Sequence, residues 1–401
     1  MKPELLAPAK NLERLKVAVL YGADAVYVGG QKYGLRAGAD NFTQTELERG
    51  VAFAHQHNAK VYVTLNAFLH DADFDGLDSF CGFMERIGVD AVIASDLGVI
   101  KYIHKCSNLP VHLSTQSSCL NLSAAKLWKR LGVKRLIVGR ELQIAEAGKI
   151  QREAGIEVEM FVHGAMCMAY SGRCTISNFT SGRDSNRGGC IQSCRFHYQQ
   201  KDVEASEEED WQLTSKFMSS KDLWGLHTVG DFFKEGICSL KVEGRMRSNL
   251  YVATTTKAYR KTIDAHAENQ LDQQTIEQGK TMLKTIPHRG YFSGSLEQRA
   301  GMDSVYLEIN KTGTGTHRYT GIVLDANPEH FVVRLFAPLR KGDTIEILPF
   351  EAPRIRLEVD AMHSVMGKSL DAIRQDNVVC IPRTSELTGV DAFNVVRAPV
   401  G

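Results

Sequence analysis

The chain has 401 residues, 43% hydrophobic and 24% charged, an ordinary balance for a globular protein of about two domains. Its formal net charge of +1 excludes a global basic footprint and confines any nucleic-acid contact to local patches. No window approaches the ~18–20 apolar residues needed to cross a bilayer. The first stretch, MKPELLAPAKNLERL, lacks the apolar centre of a secretory signal, so a cytoplasmic location without membrane contact is expected.

Short β-branched runs recur from the N-terminus. In chain order they are ELLAPA, GADAVYVGG from Gly22, KVYVTLN from Lys60, GVDAVIAS from Gly88, VHLSTQ from Val111, GVKRLIVGR from Gly132, VEMFVHG from Val158 and GICSLKVEGR from Gly236. A Gly just past a helix supplies a left-handed C-cap, and the apolar run after it reads as a buried parallel strand. Helix-period segments such as TELERGVAFAHQH, SAAKLWKRLG and ELQIAEAGKIQREAG separate most of them. Such a rhythm over ~250 residues predicts an α/β fold, a (β/α)8 TIM-like barrel. A doubly wound sheet is the alternative, but no Gly-rich dinucleotide fingerprint follows the first run. The barrel is placed at 1–300, with an insertion at about 164–235 between the seventh and eighth strands.

Within that insertion, the acidic stretch from Gln199 to about Thr214 reads as a solvated loop. Ser219 or Ser220 is predicted to cap a short helix further on. HRGYFSGSLEQRAG, from His288, reads as a connector. Residues 301–401 then carry short alternating runs with closely spaced turns, as a small antiparallel β-barrel-like domain requires.

Four cysteines of the insertion crowd together: Cys167, Cys174, Cys190 and Cys194, spaced C-x6-C, x15, C-x3-C. Thiolates are the ligands that iron–sulfur clusters and zinc select. The paired C-x2-C knuckles of a structural zinc site are absent, which favours a [4Fe–4S] cluster; zinc, or unrelated free thiols, are the alternatives. Cys81, Cys106, Cys119 and Cys380 are scattered and read as small core or edge residues, and Cys238 should lie at the far end of the barrel.

The reactive face of such a barrel lies at the C-terminal ends of its strands. Residues there include Asn66, Ser95, Asp96, Ser114, Gln116, Arg140, Glu159, His163, Lys241, Glu243 and Arg245. His163, Glu159 and Glu243 are acid–base candidates, although each carboxylate also reads as a structural partner of Arg140 or Arg245. Alternation points Lys241, Glu243 and Arg245 to one side of the eighth strand, the interior side. Arg140, Lys241, Arg245, Asn66 and Gln116 are the substrate-binding candidates, the arginines as forks for carboxylate or phosphate. Arg173 and Arg183 beside the cysteines are candidates for RNA phosphate, and Lys126, Lys129, Arg130 and Lys134 form a basic stripe that reads mainly as an exposed helix face.

EMFVHGAMCMAYSGRCTIS resembles the signature of the collagenase-like peptidase family U32, filled here by Glu159, Phe161, Gly164, Ala165, Met166, Cys167, Gly172, Cys174, Ile176 and Ser177. ELLAPA, NRGGCIQSCR, MSSKDL, SLKVEGR, AYRKTIDA and HRGYFSG also look like family blocks, so the resemblance spans most of the chain. The resemblance extends to the prephenate-dependent tRNA uridine hydroxylases, which make 5-hydroxyuridine at the wobble position. Related members hydroxylate a cytidine of 23S ribosomal RNA or act in oxygen-independent ubiquinone synthesis. The resemblance implies a [4Fe–4S] cluster on Cys167, Cys174, Cys190 and Cys194, prephenate as co-substrate, and a tRNA anticodon loop as partner, with the C-terminal β domain as a candidate RNA grip. Lys10 departs from the family, which usually has Gly after APA. The rival readings are ribosomal RNA hydroxylation, a peptidase, and a non-catalytic, metal-stabilised RNA-binding protein. Neither H-E-x-x-H nor G-x-S-x-G is present for the peptidase.

Overall fold

The computed structural model describes residues 2–35, 40–200, 213–306, 315–383 and 388–400. The runs read from the sequence form eight parallel strands: β1 (Glu4–Pro8), β2 (Ala25–Gly29), β3 (Lys60–Leu65), β4 (Ala91–Ala94), β5 (Val111–Leu113), β6 (Arg135–Ile137), β7 (Glu157–Ala165) and β8 (Ser239–Val242). Each pairs with the next, and β8 closes the barrel on β1 through Leu5 and Leu240. Helices shield the outer face. Their starts follow local chemistry: Thr43 and Glu46 form a reciprocal capping box before Gln44–Gln56. Gly155 ends Ile144–Ala154 in the left-handed conformation.

Inside the lower barrel, charge replaces the usual apolar layer. Glu159 is fully buried and accepts from Lys241 Nζ at 2.8 Å, with Arg135 Nη1 at 3.4 Å. Arg135 also donates to Glu4 at 2.6 Å and Glu157 at 2.8 Å, and Tyr62 donates to Glu4 at 2.7 Å. This network corrects the partners expected for Glu159, which are Arg135 and Lys241 rather than Arg140 or Arg245.

The insertion grows from an extension of β7. Its end pairs antiparallel with Asp222–Trp224, which in turn pairs with Tyr291–Phe292 of the expected connector. Ser219 and Ser220 cap no helix, contrary to expectation: Ser219 N closes a turn on the Lys216 carbonyl, Ser220 forms an antiparallel bridge with Val305, and the next α-helix is Val229–Glu235. The physical reason is that Arg195 ties both down, donating to Ser219 Oγ at 3.1 Å and to the Ser220 carbonyl at 2.9 Å. Most of the acidic stretch lies outside the described residues.

Beyond the barrel, six strands form one antiparallel sheet with its own core of Val323, Phe331, Val333, Ile345, Ile347, Val379 and Ile381. They are β9 (His317–Ala326), β10 (His330–Leu335), β11 (Thr344–Leu348), β12 (Ile355–Glu358), β13 (Val378–Pro382) and β14 (Val395–Pro399), ordered β12-β11-β14-β9-β10-β13. The sheet docks on the flank of the barrel. Val395 N donates to Tyr21 Oη at 2.9 Å, Arg397 to Thr285 Oγ1 at 2.7 Å and Asn249 to Tyr319 Oη at 3.0 Å. Among the described residues, no helix is long and apolar enough to cross a membrane.

Candidate active site at the barrel mouth

A cavity of about 370 Å³ opens at the C-terminal ends of the strands, within the range of small-molecule sites. Its floor is Tyr27, Ile93, Ile137 and Phe161 from the barrel, and its roof comes from the insertion. All four clustered cysteines line it, as do Asn66, Gln116, Arg140, Lys241, Glu243 and Arg245. Ser114 belongs there too.

The polar wall is internally braced. Asn66 donates to Gln116 Oε1 at 2.9 Å, and Ser114 donates to the same oxygen at 2.5 Å. Arg245 is held by Thr64 Oγ1 at 3.0 Å and by the Leu35 carbonyl. Gly29 makes room for it, because a Cβ there would stand 2.5 Å from the guanidinium. Gly164 has φ +106°, and a Cβ would meet the Glu243 carbonyl at 2.4 Å, so this position near the end of β7 requires glycine. That close approach carries the chain from β7 over the mouth.

Among the described residues Arg140 is the cavity cation with no hydrogen-bond partner. Its guanidinium lies 3.8 Å above the Phe161 ring, and its buried Nε has no hydrogen-bond partner. Among the described residues no carboxylate pairs with it. Burial raises the Cys167 thiol above its ordinary value, and the Arg140 charge opposes that rise.

Three further cavity arginines escaped the sequence reading: Arg195, Arg247 and Arg289. Asp222, buried behind the wall, pairs with Arg289 and stands 3.4 Å from Arg247. The signal was present in KVEGRMRS and HRGYFSG, but only the tertiary fold brings these loops together. Among the described residues seven charged side chains line the cavity, Arg140, Arg195, Lys241, Arg245, Arg247 and Arg289 against Glu243. Glu159 and Asp222 offset part of that excess from behind, and the remainder favours anionic occupants.

Four residues expected at the mouth do not line the cavity. Glu159 lies beneath the floor in the ionic network, so its expected acid–base role is corrected to a structural one. His163 points away, packed against Tyr251, Tyr259 and Tyr291. Burial lowers its pKa to about 3, with Arg247 and His288 adding to the effect, so it is neutral and removed from the cavity. Its expected acid–base role is corrected as well. Asp96 caps Leu97–Cys106, accepting from Val99 N at 2.9 Å, and Ser95 donates to the Asn66 carbonyl at 3.2 Å. Lys10 pairs with Asp40 at 2.6 Å. Cys238 sits at the opposite end, against the Val158 carbonyl at 3.0 Å.

The donor set of the four cysteines suits a soft metal centre. Burial raises Cys194, its neighbour Arg195 opposes the rise, and the charges of Cys167, Cys190 and Cys174 add to it, which puts the four sulfurs in one electrostatic neighbourhood. Among the described residues no three His, Cys, Asp or Glu side chains stand at metal-holding spacing, so the thiols converge on the cavity without forming a closed cage.

A parallel barrel roofed by a thiol-rich insertion over a cationic cavity defines an α/β-barrel protein with a single composite mouth. The profile of peptidase family U32 matches residues 10–305, and the chain belongs to that family. It is 39% identical to "tRNA hydroxylation protein P1" of Bacillus subtilis (strain 168), over 93% of this chain and 90% of that one. It is 30% identical to "tRNA hydroxylation protein P" of Escherichia coli (strain K12), over 92% and 91% respectively. A 23S rRNA 5-hydroxycytidine synthase of the same organism is 32% identical over 86% of this chain and 52% of its own length.

Proposed function

We propose that the chain is an RNA-hydroxylating enzyme that converts the tRNA wobble uridine to 5-hydroxyuridine, with prephenate as oxygen-donating co-substrate. The observation that carries this reading is the convergence of four cysteines and six cationic side chains on one cavity. Full-length similarity to tRNA hydroxylation proteins supports the choice of substrate. Cys167, Cys174, Cys190 and Cys194 would hold a [4Fe–4S] cluster. When bound, such a cluster supplies one-electron chemistry beside the substrate.

The chain's own residues bind and orient. Prephenate carries two carboxylates, and Arg140, with its open hydrogen-bonding edge and its stack on Phe161, is suited to one of them. Arg245, fixed by Thr64, is suited to the second. Asn66 and Gln116, locked together, present amide groups to a base edge or a hydroxyl. Glu243, the one carboxylate in the cavity wall among the described residues, is the candidate for holding a proton at Oε1 or Oε2. The peptidase reading is less well supported, because among the described residues no histidine lines the cavity to activate a cysteine nucleophile.

The test is anaerobic purification followed by metal and sulfide analysis, with nucleoside mass spectrometry of tRNA from a deletion strain. Brown protein with iron and sulfide, and loss of 5-hydroxyuridine derivatives on deletion, are expected. Stoichiometric zinc with unchanged RNA would overturn the reading in favour of a metal-stabilised binding protein. Loss of a ribosomal RNA modification instead would redirect the substrate and keep the chemistry. Arg140→Met is expected to raise KM for prephenate by roughly 30-fold or more, the scale of losing one partner of a buried charge pair. An unchanged KM would remove Arg140 from the binding site.

A further inference from the structure

Large apolar side chains stand unburied on the insertion, close in the chain to residues that line the same mouth. Phe179 is 88% exposed, Tyr170 59%, Met168 56% and Phe196 46%. Each lies within two residues of one that lines the cavity: Cys167, Gly172, Ser177 or Arg195. They stand on a braced scaffold. Ser193 Oγ meets Thr180 Oγ1 at 2.7 Å and Ser177 Oγ at 3.3 Å, tying the helix Ile176–Ser181 to the turn Ser193–Arg195. Tyr198 donates to the Ser193 carbonyl at 2.9 Å, and its ring meets the half-exposed Phe217 edge-on at 6.0 Å.

Charge separates this rim from an ordinary apolar patch. Residues 164–198 carry Arg173, Arg183, Arg187 and Arg195 against Asp184 alone, while the whole chain carries a net charge of only +1. Arg173, Arg187 and Arg195 spend hydrogen bonds on Gln116, Phe68, Asp73 and Ser220. Arg183 is exposed. The acidic run at 202–210 lies outside the described residues. Aromatic faces interleaved with arginine next to an anion-seeking cavity match the chemistry of an unpaired nucleic-acid strand. Every base has a face to stack, and every linkage carries a phosphate.

We propose that Tyr170, Phe179 and Phe196 form a stacking platform for the unpaired RNA strand flanking the modified base, with Arg183 on its phosphates. The insertion, rather than the C-terminal β domain, is thus the RNA grip. This inference rests on the RNA reading above. A second protein chain is the competing occupant, and the charge of the rim together with its continuity with the cavity favours RNA.

The experiment measures binding of a fluorescein-labelled oligouridylate to the holoprotein by anisotropy, and KM for tRNA in the modification assay. Phe179→Ala and Tyr170→Ala are each expected to weaken oligouridylate binding by about 5- to 100-fold and to raise KM while sparing kcat. Their exposure makes misfolding an unattractive explanation, and circular dichroism checks it. Arg183→Gln should lower the slope of log affinity against log salt by about 0.7, the single-strand value for one phosphate. Met366→Ala, at an 89% exposed position on the C-terminal domain, serves as the control and should bind as wild type. Wild-type affinity in the aromatic variants would overturn the platform and leave RNA hydroxylation standing. A wild-type protein that neither binds nor modifies RNA would instead sink the functional reading itself.

Discussion

Replacing Glu159 by alanine is expected to destabilise the protein by about 3–5 kcal/mol, the usual cost of leaving a buried charge without its partner. Glu159 is fully buried, and its removal strands Lys241 and weakens the seat of Arg135, both nearly fully buried. Burial already lowers the Lys241 pKa, with Glu159 as the main opposing influence. Without Glu159 that opposition vanishes and the folded-state pKa falls further. Between the folded value and the ordinary 10.5, the unfolded chain holds a proton that the folded chain does not. Stability therefore rises with pH through that window. The variant should recover part of its loss as pH increases, whereas a simple cavity would give a loss independent of pH. Urea denaturation at several pH values distinguishes the two. A Glu159→Leu, Lys241→Met pair should be closer to wild type than Glu159→Ala, since both charges leave together. A loss under 1 kcal/mol in Glu159→Ala would mean that the network is hydrated rather than buried.

The same network marks where sequence reading ran out. The barrel strands were legible because a parallel strand buried on both faces writes itself as a continuous apolar run, often preceded by the glycine that ends a helix. The four cysteines were legible because their segment is short and their chemistry narrow. Lys241, Glu243 and Arg245 all line the cavity, but β8 ends at Val242, so alternation along the strand accounts for Lys241 alone. His163 failed for a local reason. Lys241 pairs with Phe161 but Val242 pairs with His163, so one residue of β7 is bulged. A bulge reverses the side to which every later side chain points, and no simple count of alternation detects it. Glu159 keeps the inward parity but sits one layer too deep, and depth along the barrel axis is set by strand stagger rather than by sequence distance. Arg195, Arg247 and Arg289 come from three separate segments whose meeting depends on Asp222 and on Ser219 and Ser220.

Cys190→Ala should abolish cluster binding and RNA modification while leaving the barrel intact. Cys190 is only partly buried and lies on the insertion, away from the barrel core, so the metal-free protein should change in stability by no more than about 0.5 kcal/mol. The loss in the holoprotein has a different origin. Three thiolates close an iron–sulfur site poorly, and Cys238, the only other cysteine near β7 and β8, lies at the opposite barrel end with its thiol pushed up by burial among Glu157, Glu159 and Glu4. It cannot swing round to replace the missing ligand. Cys238→Ala should accordingly retain full iron and sulfide, which makes the pair of variants diagnostic. Iron and sulfide assays on anaerobic protein, run beside circular dichroism, read both outcomes. Undiminished iron in Cys190→Ala, or its loss in Cys238→Ala, would place the metal elsewhere and detach the cysteine roof from the chemistry of the cavity.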